Sequence, residues 1–141
     1  MGKKIYWANA LFSEADRRFN EVSVAKVREA GYSVFLPQEE FTENADPTNE
    51  EIFRVDTSEL QSCDIVVACL DQFPIDTGVA CEIGVAYGSN IPVIGLYTDI
   101  RSRRKGAGRM YKNQYVLGAI EARGEVVYSL DQLLETLPKY L

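Results

Sequence analysis

Five short apolar runs punctuate the chain, at residues 4–8, 32–36, 65–70, 91–97 and 125–128. Each is too short for a helix and rich in β-branched or aromatic residues, the composition of a buried strand. Between them the sequence turns amphipathic or polar. Residues 14–30 carry Phe19, Val22, Val27 and Ala30 at loosely helical spacing, behind Ser13 as a cap and ahead of Gly31 as a stop. Further helices are predicted over residues 50–62, from Asp76 or Thr77 through Glu82 and Tyr87 to Gly88 and Asn90, over 113–122, and over 130–137 behind Ser129. Strands alternating with helices predict a parallel sheet with right-handed crossovers and helices on both faces. The expected architecture is α/β: a three-layer sandwich with a five-stranded parallel sheet, flavodoxin-like or Rossmann-like, in one domain spanning residues 1–141.

Composition narrows the function. A formal net charge of -6 disfavours nucleic acid and anionic membrane surfaces as partners. Basic residues still gather locally, at Arg101, Arg103, Arg104, Lys105 and Arg109, in a polar, glycine-bearing loop after the fourth strand. Such a cluster is either a solvated loop or a grip for phosphate. Cys63, Cys69 and Cys81 make an odd count without metal-site spacing and read as buried, reduced thiols of a cytoplasmic protein. The first residues are too short in their apolar part for an ordinary signal peptide, and no run reaches the length of a membrane span. Neither a GxGxxG fingerprint nor a P-loop is present. Residues 38–49 are polar, acidic and irregular, the expected mobile lid.

The chain contains no histidine, so carboxylates must carry much of any proton or nucleophile chemistry. Residues 69–96 place Asp76 and Glu82 around the exit of the third strand and the start of a helix. Ligands of α/β folds collect at such carboxyl strand ends. If the helix starts between them, both side chains can face one pocket. Paired carboxylates split roles, one ionised as nucleophile and the other handling a proton. Asp76 equally explains itself as a helix cap, and Glu82 as an acid placed for the helix dipole. Asp56 precedes the third strand by one helical segment, and a late position in that helix falls near the strand starts, which counts against it. Asp64 reads as a strand-entry residue. Tyr6, Trp7 and Phe12 gather at the first strand and its exit, where aromatic rings can stack on a planar ligand or simply fill the core. Alternation sets Ile5 and Trp7 on one face and Tyr6 on the other. Asn9, Ser13 and Asn113 can bind hydroxyl groups or cap helices.

The segments IYWANALFSEADRRFN, VDTSELQSCDIVVACLD, DTGVACEIGVAYG and MYKNQYVLGAIEARG together resemble the nucleoside 2-deoxyribosyltransferases over nearly the whole chain. That resemblance implies Glu82 as nucleophile, Asp76 as a proton-handling residue at the nucleobase, and Asp56 as a residue that places the substrate. It implies Tyr6 and Phe12 as pocket lining; Asn9, as an amide able to bind hydroxyl groups, is counted with them as substrate-binding. Asn113 would be lent by a neighbouring subunit to the sugar hydroxyl site. The implied substrates are 2'-deoxynucleosides and free nucleobases, with no cofactor and no metal, in a homodimer or larger homo-oligomer with shared active sites. A deoxynucleoside 5'-monophosphate N-glycosidase of the same fold is the nearest alternative. Such relatives carry a small glycine- and serine-rich phosphate segment after the first strand, where this chain has Asn9-Ala10-Leu11-Phe12-Ser13. Ser13, Arg17 and the Arg101–Arg104 cluster keep that alternative open, and a nonenzymatic nucleotide-binding module is the third.

Overall fold

The computed structural model describes residues 2–42, 44–103 and 112–141. Arg104, Lys105 and Arg109 of the basic cluster lie outside the described residues. Five strands, β1 (Lys4–Ala8), β2 (Ser33–Phe35), β3 (Ile65–Cys69), β4 (Val93–Leu96) and β5 (Glu125–Val127), form one sheet in the order β2-β1-β3-β4-β5. Every pairing is parallel. This is the flavodoxin-like order, which decides between the two expected arrangements and sets the topological switch point between β1 and β3.

The α-helices among the described residues are α1 (Glu14–Glu29), α2 (Asn49–Gln61), α3 (Thr77–Gly88), α4 (Gln114–Glu121) and α5 (Leu130–Thr136). Each begins where a short polar side chain accepts a backbone N–H that the helix itself cannot satisfy. The caps are Ser13, Thr48, Asp76, Asn113 and Ser129, and Thr48 completes a capping box with Glu51. Among the described residues, no helix is long and apolar enough to cross a membrane.

The pleat of the sheet sorts its side chains into two cores. Tyr6, Ala8, Val66 and Ala68 pack beneath α2, α3 and α4 with Leu60, Val79, Ile83 and Ile120. Ile5, Trp7, Ile65 and Val67 pack on the other side beneath α1 and α5 with Val24, Val27 and Leu133. The chain passes Gly124 so close to β4 that an added Cβ would sit 1.8 Å from the Val93 carbonyl oxygen.

Two sequence expectations are corrected. In α1 the buried residues are Asn20, Ser23, Val24 and Val27, while Val22 is 50% exposed. Phe19 and Val27 pack on the core as expected, while Val22 and Ala30 do not, because the inward stripe also contains two polar residues. Cys63 and Cys69 are buried as expected, but Cys81 is exposed. It lies on the outer side of α3, away from the sheet-facing Val79, Ile83 and Ala86. The segment 38–49, expected as a lid, is tied at its ends by the Arg28–Glu39 ion pair (2.7 Å) and the Thr48 cap. Its Glu43 lies outside the described residues.

Candidate active site

Helix α3 starts directly after the exit loop of β3, and Asp76 fixes its first turn by accepting the Val79 N–H at 3.1 Å. Residues 78, 81, 82 and 85 then fall on one stripe, because side chains three and four apart share a helix face. The facing stripe of α2 presents Ile52, Phe53, Asp56, Thr57 and Leu60, and between the stripes lies a cavity of about 240 Å³. Gly78, Cys81, Glu82 and Val85 form its α3 wall. Gly78 is the close-approach point. A Cβ there would stand 3.1 Å from Asp76 Oδ2 and 4.0 Å from Glu82 Oε1, so a larger residue would crowd both carboxylates.

From the sheet beneath, Tyr6 contributes a fully buried ring, stacked on Phe35 at 5.5 Å between centroids. Its hydroxyl interacts with the Glu82 carboxylate. Among the described residues, neither Tyr6 Oη nor Glu82 Oε2 closes a well-formed hydrogen bond, and Asp56 Oδ1 is buried without a partner. Buried polar atoms almost always find partners, so the unpartnered Asp56 Oδ1 on the cavity wall, facing Glu82 across it, marks a place open to a ligand.

Burial pushes the Glu82 carboxyl up to about 7, the Tyr6 hydroxyl works against the rise, and the nearby Asp56 and Asp76 charges add to it. Burial also raises Asp56, to about 6, with a contribution from Glu40. Tyr6 itself is driven far above the ordinary phenol range by burial and then by the Glu82 charge, so it stays a neutral hydroxyl. The cavity therefore holds an acid that is half ionised near neutral pH, a configuration associated with functional sites.

Asp56, doubtful on sequence geometry, stands in the middle of α2 on the cavity wall opposite Glu82. Asp76 combines its capping bond with its place beside Gly78. The other candidates sit apart from the cavity wall. Asn9 donates its side-chain amide to Asn20 Oδ1 at 2.8 Å. Phe12 is 84% exposed, and it lines none of the cavity residues' contacts. Asn113 caps α4 through the Tyr115 and Val116 N–H groups, and is absent from the cavity of its own chain. Ser13 caps α1. Trp7 faces the opposite core and donates to Asn20 Oδ1. Asp64 accepts the Lys4 N–H at 2.8 Å, the strand-entry role expected of it. Arg17 donates to the Leu11 carbonyl, and Arg101 pairs with Asp99 at 2.6 Å. Sequence reading missed Ile52, Phe53, Thr57 and Cys81. The signal was available: Ile52 and Phe53 are large apolar residues four and three positions before Asp56, on the same helix face.

The model of the family described as nucleoside 2-deoxyribosyltransferase matches residues 5–131. No curated protein matches this chain. Among solved structures, a conserved protein from Enterococcus faecalis V583 is similar at 36% identity over 100% of both chains, with a TM-score of 0.91. A 2-deoxyribosyltransferase from Bacillus psychrosaccharolyticus shares the fold at 21% identity and TM-score 0.69, covering 93% of this chain and 90% of its own. A CMP N-glycosidase from Clostridium botulinum does so at 18% identity and TM-score 0.58, covering 99% of this chain and 100% of its own. The match over residues 5–131 joins the carboxylates of the α2–α3 cavity to the strand and helices that carry them: this chain belongs to the nucleoside 2-deoxyribosyltransferase family.

Proposed function

We propose that this protein transfers the 2-deoxyribosyl group of a 2'-deoxynucleoside from one nucleobase to another through a covalent intermediate on Glu82. The observation that carries the reading is the buried Glu82 carboxylate, with one unpartnered oxygen, in a cavity it shares with Asp56. Ionised Glu82 attacks the anomeric carbon as the C–N bond to the base breaks. Asp76, beside Gly78, supplies or relays the proton that lets the base depart neutral. The sugar is then held as an ester of Glu82. A second nucleobase attacks the same carbon, restores the carboxylate and gives overall retention, the two-displacement logic of retaining sugar transfer. The charge of the carboxylate also stabilises the oxocarbenium character of each transition state. Asp56 places the sugar from the opposite wall. Tyr6 orients Glu82 and tempers its pKa. Asn9 and Phe12, on the loop after β1, bound the substrate from the switch-point side.

A homo-oligomer accompanies this reading. The face of α3 and α4 carries a groove of about 460 Å³ lined by Gly84, Tyr87, Tyr115, Gly118, Ala119 and Ala122, with Tyr115 90% exposed. Small residues there let a second helix pair approach closely. Asn113 at the start of α4 is then available to the neighbouring subunit's sugar site. Sedimentation of the purified protein tests the assembly: a dimer or larger is expected, and a monomer at working concentration contradicts it.

The activity is tested by chromatography of the protein with 2'-deoxyinosine, with and without adenine, and separately with deoxynucleoside 5'-monophosphates. Adenine-dependent formation of 2'-deoxyadenosine is expected. Base release alone, faster from monophosphates and indifferent to adenine, would make the protein an N-glycosidase instead.

A further inference from the structure

We propose that Cys81 is a modification site at which disulfides of small thiols, and related sulfenylating agents, close the α2–α3 cavity. The proposal rests on the reading of that cavity as the substrate site. Of the three cysteines, Cys63 and Cys69 are buried and Cys81 is exposed. The thiol of Cys81 stands on the same α3 stripe as Glu82 and lines the same cavity of about 240 Å³. A ligand-accepting space is indicated independently of the thiol. Asp56 Oδ1, on the opposite wall of the cavity, is buried without a hydrogen-bond partner among the described residues, and the fully buried Tyr6 reaches Glu82 from beneath. Any atom added to Cys81 Sγ takes up room through which a sugar must approach Glu82.

The two other thiols are poor competitors. Burial raises Cys63 to about 11 and holds Cys69 well above the ordinary thiol range. The thiolate is the reacting form, and access decides which thiol is reached. In the reaction the Cys81 thiol loses its proton to solvent and its thiolate attacks one sulfur of the disulfide. A new S–S bond forms to Cys81, the original S–S bond breaks, and the second sulfur leaves as a thiolate. No external oxidant is consumed, and an added thiol reverses the step.

The experiment uses methyl methanethiosulfonate, whose methylthio group is small and whose leaving group is methanesulfinate. Intact-mass and peptide spectra report the adduct, and base release or base exchange reports activity. One methylthio group per chain, at Cys81, is expected, with at least a tenfold loss of rate restored by dithiothreitol. Saturating 2'-deoxyinosine is expected to slow labelling several-fold. The Cys81→Ser variant is expected to take up no label and to hold its own untreated rate, whatever that rate is. Labelling at Cys63 or Cys69, full activity in the labelled protein, or labelling indifferent to the deoxynucleoside would each overturn the proposal. If untreated protein releases base without exchanging it, the transferase reading fails while the adduct and its effect on base release still decide the role of Cys81. If no turnover occurs at all, protection of Cys81 by deoxynucleoside decides it.

Discussion

Tyr6 and Trp7 are neighbours on β1, equally buried, and they serve opposite faces of the sheet. Trp7 donates its indole N–H to Asn20 Oδ1 at 3.0 Å. Asn20 also accepts from Asn9, and donates to the Ala10 carbonyl at 3.1 Å and to Gln38 Oε1 at 2.8 Å. Both polar atoms of its side chain are in use on the α1 side. Tyr6 Oη, one residue earlier, closes no well-formed hydrogen bond, and neither do Glu82 Oε2 and Asp56 Oδ1 on the same side. An unmade hydrogen bond in a buried site costs about 1–3 kcal/mol per group. The α1 face is thus built for stability, while the α2–α3 face carries polar groups whose cost is offset only when something binds. Where a fold leaves its polar atoms waiting is where its chemistry is to be sought.

The largest expected effect breaks the active side alone. Glu82→Ala is expected to lower transfer by about 10⁴-fold or more, because it removes the nucleophile outright, while thermal unfolding shows no loss of stability. Near-normal turnover in that variant removes Glu82 from its role. Asp76→Asn is expected to lower the rate by about 10²–10⁴-fold, the usual worth of a positioned acid or base, with the greater penalty for poor leaving bases. Its amide oxygen can still cap α3, so an unchanged rate across bases would show that the capping role alone accounts for the residue.

On the satisfied face the expectation reverses. Asn20→Leu strands the Trp7 and Asn9 donors and the Ala10 and Gln38 acceptors, and a loss of about 3 kcal/mol is expected in denaturant unfolding. A neutral result there would erase the contrast between the faces.

The waiting groups also give a pH signature. Glu82 has a folded-state pKa of about 7 against an ordinary 4.5, so between those values the folded protein keeps a proton that the unfolded chain has released. Its contribution to stability therefore falls as pH rises from 4.5 to 7 and is flat above. Glu82→Gln is expected to raise stability by on the order of 2–3 kcal/mol above pH 7 and by little below pH 4.5, read from unfolding curves. In the active enzyme the same titration gives an ascending limb of kcat/KM near pH 7. The smallest effect belongs to Tyr6→Phe, which deletes a hydroxyl without a well-formed hydrogen bond. A stability change within about 1 kcal/mol is expected. The ascending limb is expected to move upward, since the hydroxyl is what opposes the rise of Glu82. A downward shift would contradict the assigned contact.

Much of this was legible beforehand, and the parts that were not have physical reasons. Strand runs, caps and the Glu82–Asp76 pair follow from local rules: period, cap chemistry and position after a strand. Strand order does not, because the same alternation serves more than one doubly wound topology. Sequence geometry counted against Asp56, which lines the cavity, because a sequence fixes its distance from β3 along the chain but not the tilt of α2 across α3. Val22 and Ala30 of α1 were misplaced, while Phe19 and Val27 were not, because Asn20 and Ser23 point inward, and a buried asparagine is acceptable only when its partners, far apart in sequence, converge on it. Cys81 looked like core for the converse reason: a small thiol in an apolar segment can face either way. Only the packing of α3 against α2 and the sheet sets it on the cavity wall.

The central claim is that Glu82 becomes covalently bound to the sugar. Its most direct test is mass spectrometry of the protein quenched during turnover of a 2'-deoxynucleoside without acceptor base. The account predicts a 2-deoxyribosyl adduct that maps to Glu82 and disappears when adenine is added. A protein that exchanges bases while its adduct maps to another residue, or while no adduct forms at all, would contradict it.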